Sequence, residues 1–233
     1  DLLRKARIHP MQILLASKTY ASGHGYRGDG TWIPIPQIID QLDDTFYETF
    51  KYVAPTDKRY SINIDVSGSM SHPIANSNLS CCEAATAMAL VTAKTEDNYI
   101  INGFETGLTT YPITKKMRLN DALKYTQMRN FGGTDCALPM EDALKKKQEF
   151  DVFVVITDNE TWAGRKHPCQ ALVKYRNQMG INAKLIVIGM TATDFSIADP
   201  NDGGMLDVVG FDASVPQVMN TFIRNEVHKN EAI

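Results

Sequence analysis

Short apolar segments alternate with longer helix-favouring segments along most of this chain, from residue 60 onward. Continuous apolar runs such as Val152–Thr157 and Ala183–Gly189 are typical of strands that are buried on both faces of a parallel sheet. Helices are predicted between and after the strands, at residues 79–95, 119–128, 138–148, 168–179 and 214–226. Strands that alternate with helices predict the α/β class, with a doubly wound and mainly parallel sheet.

Four shorter segments complete the predicted sheet: Tyr60–Asp65, Tyr99–Phe104, Leu108–Tyr111 and Asp207–Phe211. The second and third of these are close enough in sequence to form a hairpin. Because hairpin strands are antiparallel, we expect Leu108–Tyr111 to form an antiparallel edge of the sheet.

The first 55 residues have a different pattern, which predicts a short all-α extension before the α/β domain of residues 56–233. Leu3–Thr19 has apolar residues at helical spacing, and His9-Pro10 is expected to kink or divide that helix. Ile38–Tyr52 is predicted to be a second helix, with a stripe of apolar residues that favours core packing over ligand binding.

The composition is that of an ordinary globular protein, with 233 residues, 43% hydrophobic and 22% charged. The net charge of −3 gives no general electrostatic reason for binding nucleic acid. We expect no signal peptide and no membrane-spanning segment. The cysteines form no zinc or redox motif, which favours reduced thiols in a cytoplasmic protein.

The first predicted strand is followed directly by Asp65-Val66-Ser67-Gly68-Ser69. One carboxylate and two hydroxyls at alternate positions converge at the end of the strand, and Gly68 permits a tight turn. These are hard oxygen ligands of the kind that Mg²⁺ prefers. On its own, the pattern is equally compatible with a turn that is held by local side-chain hydrogen bonds.

Two further segments place oxygen ligands where the same site could form. Thr134 follows two glycines in Phe131–Asp135, and Asp158 follows the apolar strand Val152–Thr157. Open α/β sheets bind ligands at the carboxyl ends of their strands. We therefore predict one divalent-metal site from five residues: Asp65, Ser67, Ser69, Thr134 and Asp158.

In this order the three segments resemble the metal-ion-dependent adhesion site of von Willebrand factor A domains, which have a Rossmann-like fold of the predicted kind. By that resemblance Ser67, Ser69 and Thr134 contact Mg²⁺ or another divalent cation, directly or through water. Asp65 and Asp158 hold the site, mostly through water. The resemblance also implies an open coordination position, which an acidic side chain of a protein partner can fill.

A more specific resemblance covers nearly the whole chain and is to the Ro 60 kDa ribonucleoprotein family. The segments that carry it include Ala6–Pro10, Thr19-Tyr20, Gly23–Gly25, Phe46-Tyr47, Gly132–Cys136, Leu138–Met140, Thr157–Thr161, His167-Pro168, Ala183–Val187, Ile197–Pro200, Gly204–Asp207 and Gly210–Asp212. The resemblance implies that residues 1–55 end a domain of HEAT-like helical repeats. It also implies that the parent protein binds Y RNAs and misfolded noncoding RNAs in RNA quality control, in the cytoplasm, with the nucleus as an additional location to consider.

Two other functions are compatible with parts of the sequence. An acidic metal site at a sheet edge also suits a metal-dependent hydrolase or a phosphoryl-transfer enzyme. The chain has no Walker-type phosphate loop, and Ser67 stands where an aspartyl-phosphate mechanism would need a second Asp, so we predict no enzyme. A basic group near the amino terminus could contact RNA directly, although solvated charges on a helix are the favoured explanation for this segment in isolation: Arg4, Lys5, Arg7, Lys18 and Arg27.

Overall fold

The computed structural model describes residues 8–25, 28–74, 77–127, 133–158, 164–191, 197–210 and 214–225. Within these residues six strands form one sheet, in the order β3-β2-β1-β4-β5-β6. Their bounds are β1 (Arg59–Asp65), β2 (Asn98–Phe104), β3 (Leu108–Tyr111), β4 (Val152–Thr157), β5 (Lys184–Gly189) and β6 (Met205–Val209). All neighbouring strands are parallel except β2 and β3, which form the predicted antiparallel edge.

Seven α-helices of the described residues connect or flank the strands. Their bounds are α1 (Pro10–Ala21), α2 (Pro36–Thr49), α3 (Cys81–Thr95), α4 (Leu119–Thr126), α5 (Leu138–Lys146), α6 (Pro168–Met179) and α7 (Val215–Arg224). The two faces of the sheet have separate apolar cores. Ile62 of β1 packs with α3 and α7, whereas Phe153 of β4 packs with α5 and α6. Helices on both faces confirm the predicted doubly wound α/β fold.

Several predicted bounds differ from those observed, and two elements show why. In the described part of the predicted helix Leu3–Thr19, α1 begins at Pro10, because His9 is its N-cap and accepts a hydrogen bond from the Met11 N–H. The last strand was predicted at Asp207–Phe211 but runs from Met205 to Val209. Its position is set by pairing with β5, which places Met205 beside Leu185, and apolar pattern alone does not reveal that register.

The amino-terminal helices pack against the α/β unit. Met11 and Leu14 of α1 and Phe46 of α2 belong to the same buried cluster as Ile62 of the sheet. Lys18 of α1 also forms a 2.6 Å ion pair with Glu83 of α3. The extension therefore shares a core with the sheet. None of the helices in the described part of the chain is long and apolar enough to cross a membrane.

Candidate metal centre

The end of β1 brings Asp65, Ser67 and Ser69 together. The Asp65 side chain is fully buried, and its Oδ1 accepts a 2.8 Å hydrogen bond from the Ser67 N–H. The chain then enters a 3₁₀-helix at Gly68–Ser71, which returns Ser69 to within 3.0 Å of the Ser67 hydroxyl. A carboxylate that accepts from a backbone N–H two residues on is typical of a tight turn after a strand.

The end of β4 supplies the second carboxylate. Parallel pairing of Ile64 with Ile156 places Asp65 beside Thr157, whose hydroxyl donates a 2.7 Å hydrogen bond to Asp65 Oδ2. Asp158 follows Thr157 and is buried, with 7% of its surface exposed. Its Oδ1 accepts a hydrogen bond of 3.1 Å from the Ser69 hydroxyl.

Thr134 joins the same group from the segment that precedes α5. It is buried, and its hydroxyl donates to Asp65 Oδ2 over 3.3 Å. Of the segments around it that the sequence singled out, Phe131-Gly132 and Asn159–Thr161 lie outside the described residues. All five residues that the sequence predicted for the site are therefore linked by hydrogen bonds at the carboxyl ends of β1 and β4.

The direction of these hydrogen bonds follows from the number of protons. A serine hydroxyl has one hydrogen to donate. Ser69 donates its hydrogen to Asp158, so the 3.0 Å contact between the two serines is donated by Ser67. The hydroxyls thus form a relay from Ser67 through Ser69 to Asp158, and lone pairs of both serine oxygens remain available.

The chemistry of this donor set fits a hard divalent cation. It contains two carboxylates and three hydroxyls, and oxygen ligands of this kind bind Mg²⁺. The five residues offer only oxygen atoms, unlike the nitrogen and sulfur ligands of structural zinc. Among the described residues no group of three or more His, Cys, Asp or Glu side chains could hold a metal.

The electrostatics of the five residues favour binding of a cation. Burial raises the pKa of Asp158, a hydrogen bond from Ser69 opposes this rise, and the neighbouring charge of Asp65 adds to it. Two carboxylates that are held close together and away from water repel each other. A bound cation would relieve both the repulsion and the loss of hydration.

Two buried polar residues next to proposed ligands in the sequence were not among the five predicted site residues. Thr157 is 1% exposed and holds Asp65, and Asp135 is 8% exposed, with Oδ1 accepting a 3.0 Å hydrogen bond from the Ala137 N–H. Burial raises the pKa of Asp135. The adjacency of Thr157 to Asp158 was the available signal. Its contact with Asp65 depends on the register between β1 and β4, which sequence does not reveal.

Comparison with protein families finds a match over residues 59–223, to the model described as "Ro60 vWA domain". A relative from Caenorhabditis elegans named "RNA-binding protein RO60" is 46% identical over 226 residues, which are 97% of this chain and 35% of the relative. A protein of the same name from Deinococcus radiodurans is 46% identical over 227 residues, which are 97% of this chain and 43% of that protein. The chain thus spans less than half the length of these relatives.

Solved structures give the same picture of the fold. The crystal structure of the Deinococcus radiodurans RO (RSR) protein matches 97% of this chain and 46% of that chain, with a TM-score of 0.91 and 46% identity. The proximal thread matrix protein 1 of the mussel byssus matches 73% of this chain and 47% of its own, with a TM-score of 0.51 and 14% identity. At that identity the second match indicates a similar fold and nothing further.

Proposed function

Because this chain belongs to the Ro60 family and matches its von Willebrand factor A domain, we propose that it is the metal-dependent binding module of a Ro-type RNA-binding protein. In this proposal residues 56–233 are the A domain, with a metal-ion-dependent adhesion site. Residues 1–55 are the end of a helical-repeat domain and the linker that follows it.

One observation carries the proposal of a metal site. Five oxygen-bearing side chains from three distant segments are connected by hydrogen bonds at one sheet edge. Ser67, Ser69 and Thr134 would contact Mg²⁺ directly or through water, and Asp65 and Asp158 would hold the site, mostly through water. Mg²⁺ usually retains exchangeable waters, so the bound ion would offer a position that a partner's carboxylate can occupy.

The arrangement of Asp65 supports a binding module more than an enzyme. Its Oδ1 accepts from the Ser67 N–H and its Oδ2 accepts from both Thr157 and Thr134. A carboxylate whose oxygens are committed to three hydrogen bonds, in a fully buried position, is poorly placed to act as a nucleophile or a general base. Its geometry is that of a fixed support for neighbouring groups.

RNA binding is proposed for the whole protein of which this chain would be a part. The relatives are named RNA-binding proteins, and more than half of their length lies outside the part that this chain matches. We propose that the whole protein binds Y RNAs and misfolded noncoding RNAs in RNA quality control, in the cytoplasm. The A domain in that protein would contribute a contact with a protein partner that presents an acidic side chain.

Calorimetric titration with Mg²⁺ tests the metal site. Wild-type protein should bind one ion, and Asp65→Ala should remove binding while circular dichroism stays native. Asp199→Ala, which removes a carboxylate remote from the five residues, serves as the control and should bind normally. Unchanged Mg²⁺ affinity in Asp65→Ala would contradict the proposal.

The acidic partner is tested with the same protein. Any protein that it captures through the site should be released by EDTA and should bind poorly to Asp158→Ala. A partner that binds equally well in EDTA would show that the metal does not mediate the contact.

A further inference from the structure

A close contact joins the segment that carries Thr134 to the chain that follows β4. Gly164 has a φ of +89°, and a Cβ atom at this position would lie 2.4 Å from Asp135 Oδ2 and 2.6 Å from Oδ1. These separations are shorter than any van der Waals contact. The Asp135 carboxylate therefore lies directly against the backbone of Gly164, in space that only a glycine leaves open.

Asp135 is held firmly on its own side of this contact. Its backbone N–H donates a 3.0 Å hydrogen bond to the Glu105 carbonyl oxygen. Its Oδ1 accepts the Ala137 N–H over 3.0 Å, which ties the carboxylate to the start of α5. The side chain is 8% exposed, so it cannot turn away from Gly164 without losing this bond inside the protein.

The two partners of the contact flank the proposed ligands. Asp135 directly follows Thr134, whose hydroxyl lies 3.3 Å from Asp65 Oδ2. Gly164 follows Asp158 by six positions in the sequence, and Asp158 Oδ1 accepts from Ser69. The contact therefore places Gly164 directly against the residue that follows the proposed ligand Thr134.

We infer that Asp135 and Gly164 are positioning residues of the metal centre, which act together through their close contact and do not touch the ion. The inference rests on the proposed Mg²⁺ site and adds the pair that sets its geometry. A Cβ at Gly164 would push the Asp135 carboxylate away and move Thr134 with it. Partners that orient metal ligands typically change metal affinity by about 10–100-fold when they are removed.

Mg²⁺ calorimetry on single variants tests this pair. Gly164→Ala should lower Mg²⁺ affinity about tenfold or more. Gly180→Ala is the matched control, because Gly180 also has a positive φ of +68° but has nothing within 4 Å of its Cβ position. Both variants should lose thermal stability through backbone strain, and only Gly164→Ala should lose Mg²⁺ affinity.

Variants of Asp135 separate positioning from direct ligation. Asp135→Asn keeps the shape of the side chain and its acceptor oxygen, so Mg²⁺ affinity should stay close to wild type. Asp135→Ala removes the contact and should weaken binding. Loss of binding in Asp135→Asn would identify Asp135 as a ligand and overturn its role as a positioning residue. If Gly164→Ala does not fold, equal affinities for Asp135→Asn and Asp135→Ala would overturn the inference.

The double variant Asp135→Ala/Gly164→Ala tests whether the two residues act through each other. Without the carboxylate there is room for a Cβ, so Gly164→Ala should add little to the effect of Asp135→Ala. If Gly164→Ala lowered Mg²⁺ affinity by the same factor in wild type and in Asp135→Ala, the contact between the two residues could not be the cause.

The failure of this inference can be told apart from the failure of the proposed function. If wild-type protein bound no Mg²⁺, the proposed function would fail. Normal Mg²⁺ binding in both wild type and Gly164→Ala would remove only this inference.

Discussion

The two carboxylates of the candidate site are held in different ways, and this difference gives each a separate role. Asp65 accepts hydrogen bonds on both oxygens and is fully buried. Among the described residues, Asp158 accepts a side-chain hydrogen bond from Ser69, and burial raises its pKa. In the proposed site Asp65 would therefore act as the support, and a bound cation would favour the charged form of Asp158.

Replacing Asp158 by asparagine should stabilise the metal-free protein. A carboxyl with a folded-state pKa above its unfolded value is unfavourable in its charged form, so its charge destabilises the folded state at neutral pH. That penalty disappears as the pH falls through the raised pKa. Asp158→Asn removes it at every pH, and the melting temperature without metal should rise. The stabilisation that Mg²⁺ gives to wild type should be absent.

Asp151→Asn is a control for which we expect the opposite change in melting temperature. Burial raises the pKa of Asp151, but the hydrogen bonds and charge of Arg59 outweigh it and leave this pKa below its usual range. Such a group stabilises the folded state above its unfolded pKa and loses that contribution as the pH falls through the folded value. Asp151→Asn should therefore lower the melting temperature. A fall of the melting temperature in metal-free Asp158→Asn as well would contradict our account of Asp158.

Replacing Thr157 by valine should weaken metal binding without removing any proposed ligand. Valine has nearly the same shape, but it cannot donate the 2.7 Å hydrogen bond to Asp65 Oδ2. We expect Mg²⁺ affinity to fall about 10–100-fold. Stability should fall by about 1 kcal/mol. Thr109→Val, at an exposed position of β3, should change neither quantity in the same calorimetric and thermal measurements.

At the scale of elements, most of the fold follows from hydrophobic pattern. The bounds of β4 and α6 agree with prediction. A long apolar run defines β4, and α6 begins at Pro168 and ends just before Gly180. The position of β6 could not be predicted, because an edge strand is defined by its pairing with β5. For the same reason sequence could single out five candidate oxygen ligands, which remain a prediction, but not the contacts made by Thr157 or Asp135.

The last helix is fastened to the sheet by a buried lysine. Lys184 at the start of β5 donates to the carbonyl oxygens of Phe222, over 2.6 Å, and of Ile223, over 3.1 Å, and also to that of Asn225. The carboxyl end of a helix carries partial negative charge, which a lysine stabilises. Its bonds therefore hold the end of α7 against the core.

Lys184→Met should release this end of α7. Methionine retains the apolar stem but leaves the carbonyl oxygens without their charged donor. The loss should be on the order of 1–3 kcal/mol, because hydrogen bonds to charged groups are stronger than neutral ones. Hydrogen exchange should become faster in Val215–Arg224. Lys174→Met, on the exposed face of α6, should leave that exchange unchanged, and equal behaviour of the two variants would contradict the role of Lys184.

At the scale of the whole molecule, the amino-terminal helices and the sheet should unfold together. Phe46 of α2 is 2% exposed and belongs to the same core cluster as β1. Phe46→Ala should lower the free energy of unfolding by about 3–5 kcal/mol. The transition should remain single and cooperative because one core is shared.

Ile33→Ala is the control for this prediction, since Ile33 lies in the same extension but is 89% exposed. It should leave denaturant unfolding unchanged. Two separate transitions in wild type, or a small effect of Phe46→Ala, would show that the extension is independent of the α/β unit.

This chain alone should bind RNA weakly. Its net charge is −3, and the predicted basic group near the amino terminus has only Lys18 within the described residues. Lys18 is engaged in a 2.6 Å ion pair with Glu83, which reduces its availability to phosphate. Affinity for nucleic acid depends largely on cations that displace counterions from phosphates. A gel-shift titration at physiological salt, beside a full-length Ro60 protein, should show much weaker binding by this chain, and equal affinity would place a major RNA site within it.

The most direct measurement of the central claim is a crystal structure of this chain soaked in Mn²⁺, which takes the place of Mg²⁺ and gives an anomalous signal. Our account predicts one strong anomalous peak at the carboxyl ends of β1 and β4. The hydroxyl oxygens of Ser67, Ser69 and Thr134 should contact it directly or through water, with Asp65 and Asp158 around it. A well-ordered site without a peak at saturating Mn²⁺, or a peak held by other residues, would contradict it.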